Sequence, residues 1–339
     1  MGKIRELVEG LKPVIIMVLF QLGNVGVVLL YKLAAADGMN LRILIAYRFL
    51  FATSFISPIA FLLERNKRPK WTWTLFFQAF LCGLLGGSLS QNLFLESMML
   101  TSMTFATAMF NLVPAVTFIL AVLFRLEKAG IRSWAGKAKI MGTIIGISGA
   151  MLLTFYKGIE INIWNSHINL LKHYQSSNNL QLGSSNHNQM LLGSSLAVAN
   201  CFSYALWLIV QTKMSKAYPC PYSSTSLTTL MASIQATMFA VITEKDWSQW
   251  KLGWNIRLLT VAYAGVVMAG LMITLVTWCV RVRGPLFVSI FNPLLLVCTA
   301  FAGSLFLDEK LHLGSLLGST LIVCGLYSVL WGKNKEMKK

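Results

Sequence analysis

The sequence predicts an all-α polytopic membrane protein, with ten transmembrane helices in two inverted five-helix repeats. Two observations carry that expectation. Of 339 residues, 56% are apolar and 12% charged, and the mean hydropathy is +0.65, whereas an ordinary soluble domain is about a quarter charged. The second is an internal duplication: TSMTFATAMFNLVPAVTFILAVLFRLEK at 101–128 returns as RGPLFVSIFNPLLLVCTAFAGSLFLDEK at 283–310. Phe110-Asn111 falls on Phe291-Asn292, and Glu127-Lys128 falls on Glu309-Lys310 with one residue of slip.

Residues 1–13 are short and charged. The apolar run 14–36 after them is too long for the h-region of a signal peptide and reads as the first span. The remaining spans are expected near 41–62, 75–95, 101–124, 139–156, 191–212, 222–242, 258–280, 286–307 and 313–331, because about 20 apolar residues cross a bilayer as a helix. The fourth is interrupted by Asn111 and Pro114, the ninth by Asn292 and Pro293. Proline removes a backbone hydrogen bond. In hydrocarbon that loss is tolerated only where protein or a water-filled cavity satisfies the freed groups. The middles of both spans therefore face a cavity or a packed neighbour.

Ten spans put both termini on one side. That side carries 20 Lys and Arg against 8 on the other, with Arg48 inside a span, an excess that assigns the termini to the cytosol. The halves align along most of their length: Lys32 with Lys213, Glu64 with Glu244, Gly142 and Gly149 with Gly318 and Gly325, and Lys157 with Lys333. Five spans per copy bring the second copy in from the opposite side, and inverted repeats of this kind build secondary transporters with a site near the midplane. The expected organisation is a first repeat at 12–157, a flexible polar non-cytosolic linker at 158–189, a second repeat at 190–332 and a basic cytosolic tail at 333–339.

The net charge of +17 does not indicate nucleic-acid binding, because the basic residues lie in short loops between spans. The six cysteines form no CxxC pair and read as small core residues, neither a disulfide frame nor a metal site. No HExxH, Walker loop or G-x-S-x-G is present. The chain reads as neither an enzyme nor a cofactor protein.

Several stretches, taken together in their order and spacing, are specific. They are Gln21 with Gly26 and Lys32, Gly38-Met39, Tyr47-Arg48-Phe49, Gln91-Asn92, the run 101–128, Ala138-Lys139 with Gly142-Thr143, Tyr156-Lys157-Gly158, Trp207, Asn292-Pro293 and Glu309. From about Lys12 to Lys335 the chain resembles the plant EamA-type members of the drug/metabolite transporter superfamily. These are the nodulin-like or walls-are-thin-related proteins, also called UMAMITs. The resemblance implies the ten-helix inverted repeat and transport of amino acids, often bidirectional, with auxin and related indoles carried by some members. Asn24-Val25 stands where relatives often have an aromatic residue followed by Ala, and Glu96-Ser97 where many have a small residue. Both departures fall in spans expected to line the pathway.

Intramembrane polar residues are functional candidates by default. Arg48 is expected to meet a substrate carboxylate, and Glu96, near the same membrane face and paired with it, to carry a proton or meet an amine. The alternative is a structural or snorkelling Arg48. Asn111 and Asn292 can donate and accept together and suit a zwitterion, or else they satisfy freed backbone groups. Gln21, Asn24, Gln91 and Asn92 are the other mid-span amides. Tyr204 and Trp207 share a helix face and could stack an aromatic substrate. The Gly142/Gly146 and Gly314/Gly318 faces permit close helix approach, within the chain or in a homodimer. The expected function is alternating-access transport of small metabolites, amino acids foremost, in the bilayer of the plasma membrane rather than the vacuole. An auxin or indole carrier and a non-transporting scaffold or receptor are the alternatives.

Overall fold

The computed structural model describes residues 2–66, 68–69, 72–101, 103–127, 133–156, 158–161, 187–306 and 311–337. Among them, ten helices are long and apolar enough to cross a membrane: Leu11–Ala36, Leu41–Glu64, Trp73–Leu100, Phe105–Leu123, Trp134–Phe155, Gln189–Ala217, Pro221–Thr243, Ile256–Arg283, Pro285–Ala302 and Leu313–Glu336. They are numbered here as spans 1 to 10. Each expected span is present. The third runs further, to Leu100, the fifth starts earlier, at Trp134, and the sixth continues to Ala217. Polar N-caps fix several starts. The Asn40 side chain accepts from the Arg42 amide, Thr72 from Leu75 and Ser133 from Gly136.

The linker expected at 158–189 lies largely outside the described residues, as do Trp71, Lys128, Lys157, Glu309 and Lys310. Its first residues form a two-residue antiparallel pair, Glu160–Ile161 with Leu311–His312. At the other end of the chain, the segment expected as a tail continues the tenth helix to Met337.

The spans pack with the symmetry of the duplication. Span 2 lies on span 7 and span 5 on span 10, while span 1 lies against 8 and 9 just as span 6 lies against 3 and 4. Spans 4 and 9 break where the asparagines stand: a turn at 111–112 separates Met103–Phe110 from Val113–Leu123, and a turn at 290–291 precedes Asn292–Phe306. Spans 3 and 8 each contain a π-helical segment, Gly83–Ser88 and Tyr263–Met272. The π segment of span 3 packs on span 7, and that of span 8 on span 2, again as equivalents. The sequence reading did not anticipate these segments. Their glycines are the available signal, since a widened turn brings its backbone close to a neighbour only without a Cβ.

Spans 5 and 10 cross through glycine. A Cβ on Gly142 would lie 2.7 Å from the Gly325 carbonyl, one on Gly149 2.8 Å from the Gly318 carbonyl, and one on Gly325 2.5 Å from the Gly146 nitrogen. These faces, which the sequence also offered for a homodimer, are packed against each other inside the chain, and Gly314 is likewise closed off by Tyr156. The small-residue pattern therefore serves the monomer fold.

This crossing makes a graded prediction. Gly325→Leu should lower thermal stability in detergent by the equivalent of about 1–3 kcal/mol, the usual overpacking penalty. A Cβ on Gly146 meets nothing within 4 Å, so Gly146→Ala should be neutral or stabilise by up to about 1 kcal/mol. Equal melting temperatures for the two variants would contradict the crossing.

Candidate functional site

The two helix breaks and the π segment of span 3 surround the middle of span 6. Two span 6 side chains meet the irregular backbone. Cys201 Sγ donates to the Met109 carbonyl at 2.9 Å, beside the break in span 4. Ser203 Oγ donates to the Leu85 carbonyl at 2.9 Å, in the π segment. Tyr204, next in the chain after Ser203, anchors a row of four rings across three spans. It meets Phe110 edge-on at 5.1 Å and Trp207 at 5.1 Å, and Phe110 meets Phe94 at 6.0 Å. Trp207 is buried and lies over Gly86, where a Cβ would clash with its ring.

The duplicated asparagines differ. Asn111 Nδ2 donates to the Thr107 carbonyl of its own helix at 3.0 Å. It serves the broken backbone, so the two amides do not form a matched pair for a zwitterion. Asn292 lies beside Tyr204, and its Nδ2 is buried without a hydrogen-bond partner. A buried amide donor left unmatched costs about 1–3 kcal/mol, a cost that a bound ligand or water removes.

Arg48 acts electrostatically on the same Tyr204. Its Nη1 reaches the Tyr31 hydroxyl at 3.4 Å, and its Nε is buried and unmatched. The expected pair with Glu96 is not formed. Glu96 bonds Arg42 at 2.7 Å, and Arg42 also bonds Glu244 at 2.9 Å. The reason is helical geometry. Six residues separate Arg42 from Arg48, which is about 9 Å of rise and most of the way to the opposite face. Arg42 meets the end of span 3, while Arg48 lies deeper. Glu96 is thus a partly exposed rim residue rather than a central one.

Of the other candidates, Gln21 is buried with Nε2 unmatched. Asn24 Nδ2 donates to its own Phe20 carbonyl at 3.0 Å. Asn92 Nδ2 donates to the Ser88 carbonyl at 2.7 Å, leaving its Oδ1 buried and unmatched. Gln91 is half-buried. Pro114 and Pro293 stand in the first turn after each break. Tyr31, Phe94, Phe110 and Gly86 complete the site and were not among the candidates. Tyr31 stands seven residues after Asn24 and so on its face. Phe110 belongs to the duplicated Phe-Asn pair. Among the described residues, no group of three or more His, Cys, Asp or Glu could hold a metal ion.

Comparison with known proteins agrees with this architecture. The model of the EamA-like transporter family matches residues 11–155 and 191–331. A WAT1-related protein of Arabidopsis thaliana is 44% identical over 328 residues, covering 97% of this chain and 91% of that protein. A second from the same plant is 41% identical over the same length and coverage. A solved structure titled "Crystal structure of protein" superposes with a TM-score of 0.67 at 13% identity, over 94% of this chain and 98% of its own. That likeness concerns the fold alone.

The unequal asparagines give a stability test. Asn111→Ala removes a formed hydrogen bond and should lower thermal stability by about 0.5–1.5 kcal/mol. Asn292→Ala deletes an unmatched donor and should leave the melting temperature near that of the parent protein. Equal losses would mean that Asn292 is as structural as its mate.

Proposed function

The chain belongs to the EamA-like transporter family of small-molecule membrane transporters, and on that premise we propose that it is a secondary carrier of small metabolites, amino acids foremost, working by alternating access. The two five-span repeats rock about a site between spans 1, 2, 3, 4, 6 and 9. The observation that carries this reading is a trio of nitrogen donors among the buried, unmatched polar atoms of the spans: Arg48 Nε, Asn292 Nδ2 and Gln21 Nε2. In hydrocarbon such atoms are expensive unless a ligand or water meets them. Arg48 binds the substrate carboxylate, Asn292 donates a second hydrogen bond, and the ring row from Phe94 to Trp207 holds the apolar part.

One observation favours the second reading, a carrier of indole-type carboxylates. Among the described residues Arg48 makes no ion pair, and the carboxylate expected beside it is engaged at the rim by Arg42. A site with one cation, no anion and four rings suits a carboxylate without an ammonium. The excess of basic residues on the terminus-bearing side supports cytosolic termini, and the plasma membrane remains the proposed location.

Counterflow in proteoliposomes tests the proposal. Vesicles loaded with unlabelled amino acid should accumulate the labelled compound, and Arg48→Gln should weaken apparent affinity about tenfold or more, the loss of one charge-assisted hydrogen bond of ~1.5–3 kcal/mol. Counterflow with indole-3-acetate alone would replace the first reading with the second. Absence of counterflow with every compound, from protein of normal melting temperature, would favour the scaffold reading.

A further inference from the structure

Two ion-pair clusters lie at opposite ends of the bundle, and each ties one repeat to the other. At the end bearing the termini, Lys333 of span 10 bonds Glu127, which follows span 4, and donates to the Arg283 carbonyl at 2.7 Å, between spans 8 and 9. Lys139 of span 5 lies 3.8 Å from Glu127 and bonds Glu336 at 2.8 Å. Gly284 takes φ 86° beside Glu127, where a Cβ would lie 2.7 Å from its carboxylate. Four segments of the chain therefore converge on two carboxylates and two ammonium groups.

At the other end, Arg42 of span 2 bridges Glu96 of span 3 and Glu244 of span 7. Asp37 after span 1 bonds Arg257 of span 8 at 2.6 Å, and Tyr47 donates to the Trp250 carbonyl at 2.6 Å. The clusters differ in access to water. Side chains of Lys139, Glu127 and Lys333 are 1%, 6% and 10% exposed, with Glu336 at the margin at 32%, against 18%, 28% and 43% for Glu244, Arg42 and Glu96. The heart of the first cluster is closed from water, whereas every member of the second is partly wetted.

We propose that these clusters are the two gates of the carrier, and that the Glu127–Lys333 clamp, braced by Lys139 and Glu336, holds the terminus-bearing gate shut in the state described here. The inference rests on the carrier reading, since two gates imply access from two sides. It assigns a part in the transport cycle to the last helical turn of the chain, a segment that the sequence offered only as a tail. Buried pairs suit the purpose. Each charge is held by its partner, and removing one leaves the other stranded in a medium of low dielectric, so the closed gate opens as a unit.

Hydrogen–deuterium exchange of the whole chain in lipid nanodiscs, without substrate, tests the gate. Glu127→Gln and Lys333→Gln should each speed uptake about tenfold or more in peptides around 121–127 and 281–286. The same variants should slow uptake around 37–42, 96–101 and 244–257, because one gate closes as the other opens. The double exchange Glu127→Lys with Lys333→Glu should return both ends toward the parent pattern. Glu336→Gln, which removes only a brace, should give a smaller change of the same form and serves if the other variants do not fold. Reciprocal change supports the gates even if none of the compounds tried in counterflow is carried. Faster exchange confined to the altered end, or no change, would reduce the cluster to a structural ion pair and overturn the proposal, even for a proven carrier.

Discussion

Every backbone amide and carbonyl within the hydrocarbon must find a partner in the protein, and this constraint decides where the chain can depart from the α-helix. The departures within the spans are the breaks of spans 4 and 9 and the π segments of spans 3 and 8. In spans 3 and 4, side chains of neighbouring spans meet the backbone at or beside the departure. Around span 6, Ser203 meets the Leu85 carbonyl and Cys201 the Met109 carbonyl, while Gln235 of span 7 reaches the Phe80 carbonyl at 3.2 Å. The irregular backbone accordingly points inward, with polar side chains from the neighbouring spans brought in to meet it. A polar centre follows from the breaks, and the candidate site is what remains of that centre once the backbone is satisfied.

The inverted repeat distributes the same task between two copies and then lets the copies diverge. Glu64 ends span 2 and accepts from the amides of Tyr222 and Ser223 at the start of span 7, at 3.2 and 2.7 Å. Its repeat-mate Glu244 ends span 7 and pairs with Arg42 near the start of span 2. One carboxylate anchors a helix N-terminus, where the free amides and the dipole favour an anion. The other anchors a guanidinium. The position is kept and the partner changed, which stabilises the two ends of the bundle unequally. The asparagines diverge in the same manner, Asn111 toward its own helix and Asn292 toward the interior.

Much of this was legible in the sequence because hydrophobic runs and a duplication are one-dimensional signals. The ten spans, the two broken helices and the amide–proline pairs are written in residue type and spacing. What was not legible depends on rotation about a helix axis and on packing between distant spans. The choice of Arg42 over Arg48 as the partner of Glu96 turns on six residues of helical phase, which uncertain span ends blur. The π segments turn on a widened turn in helices whose glycines read equally as packing notches. The buried placement of Lys333 turns on Glu127 and the Arg283 carbonyl, brought in from distant segments, and no local feature separates it from the lysines that follow it.

A carrier must hold two conformations close in free energy, since a ligand shifts an equilibrium only by its differential affinity for the two states. The packing here suits that requirement. Spans 2 and 7 and spans 5 and 10 pair across the pseudo-symmetry, and exchanging the roles of the repeats conserves much of the apolar contact between them. Apolar burial is non-directional and scarcely distinguishes the two arrangements. The polar contacts do distinguish them, because the clusters at the two ends are built from different residues with different exposure. In the proposed cycle the apolar interfaces would hold the protein together, and a few charged contacts would set which way the site faces. That division explains how a chain with 12% charged residues places three of them, Glu127, Lys139 and Lys333, in a buried cluster at one end.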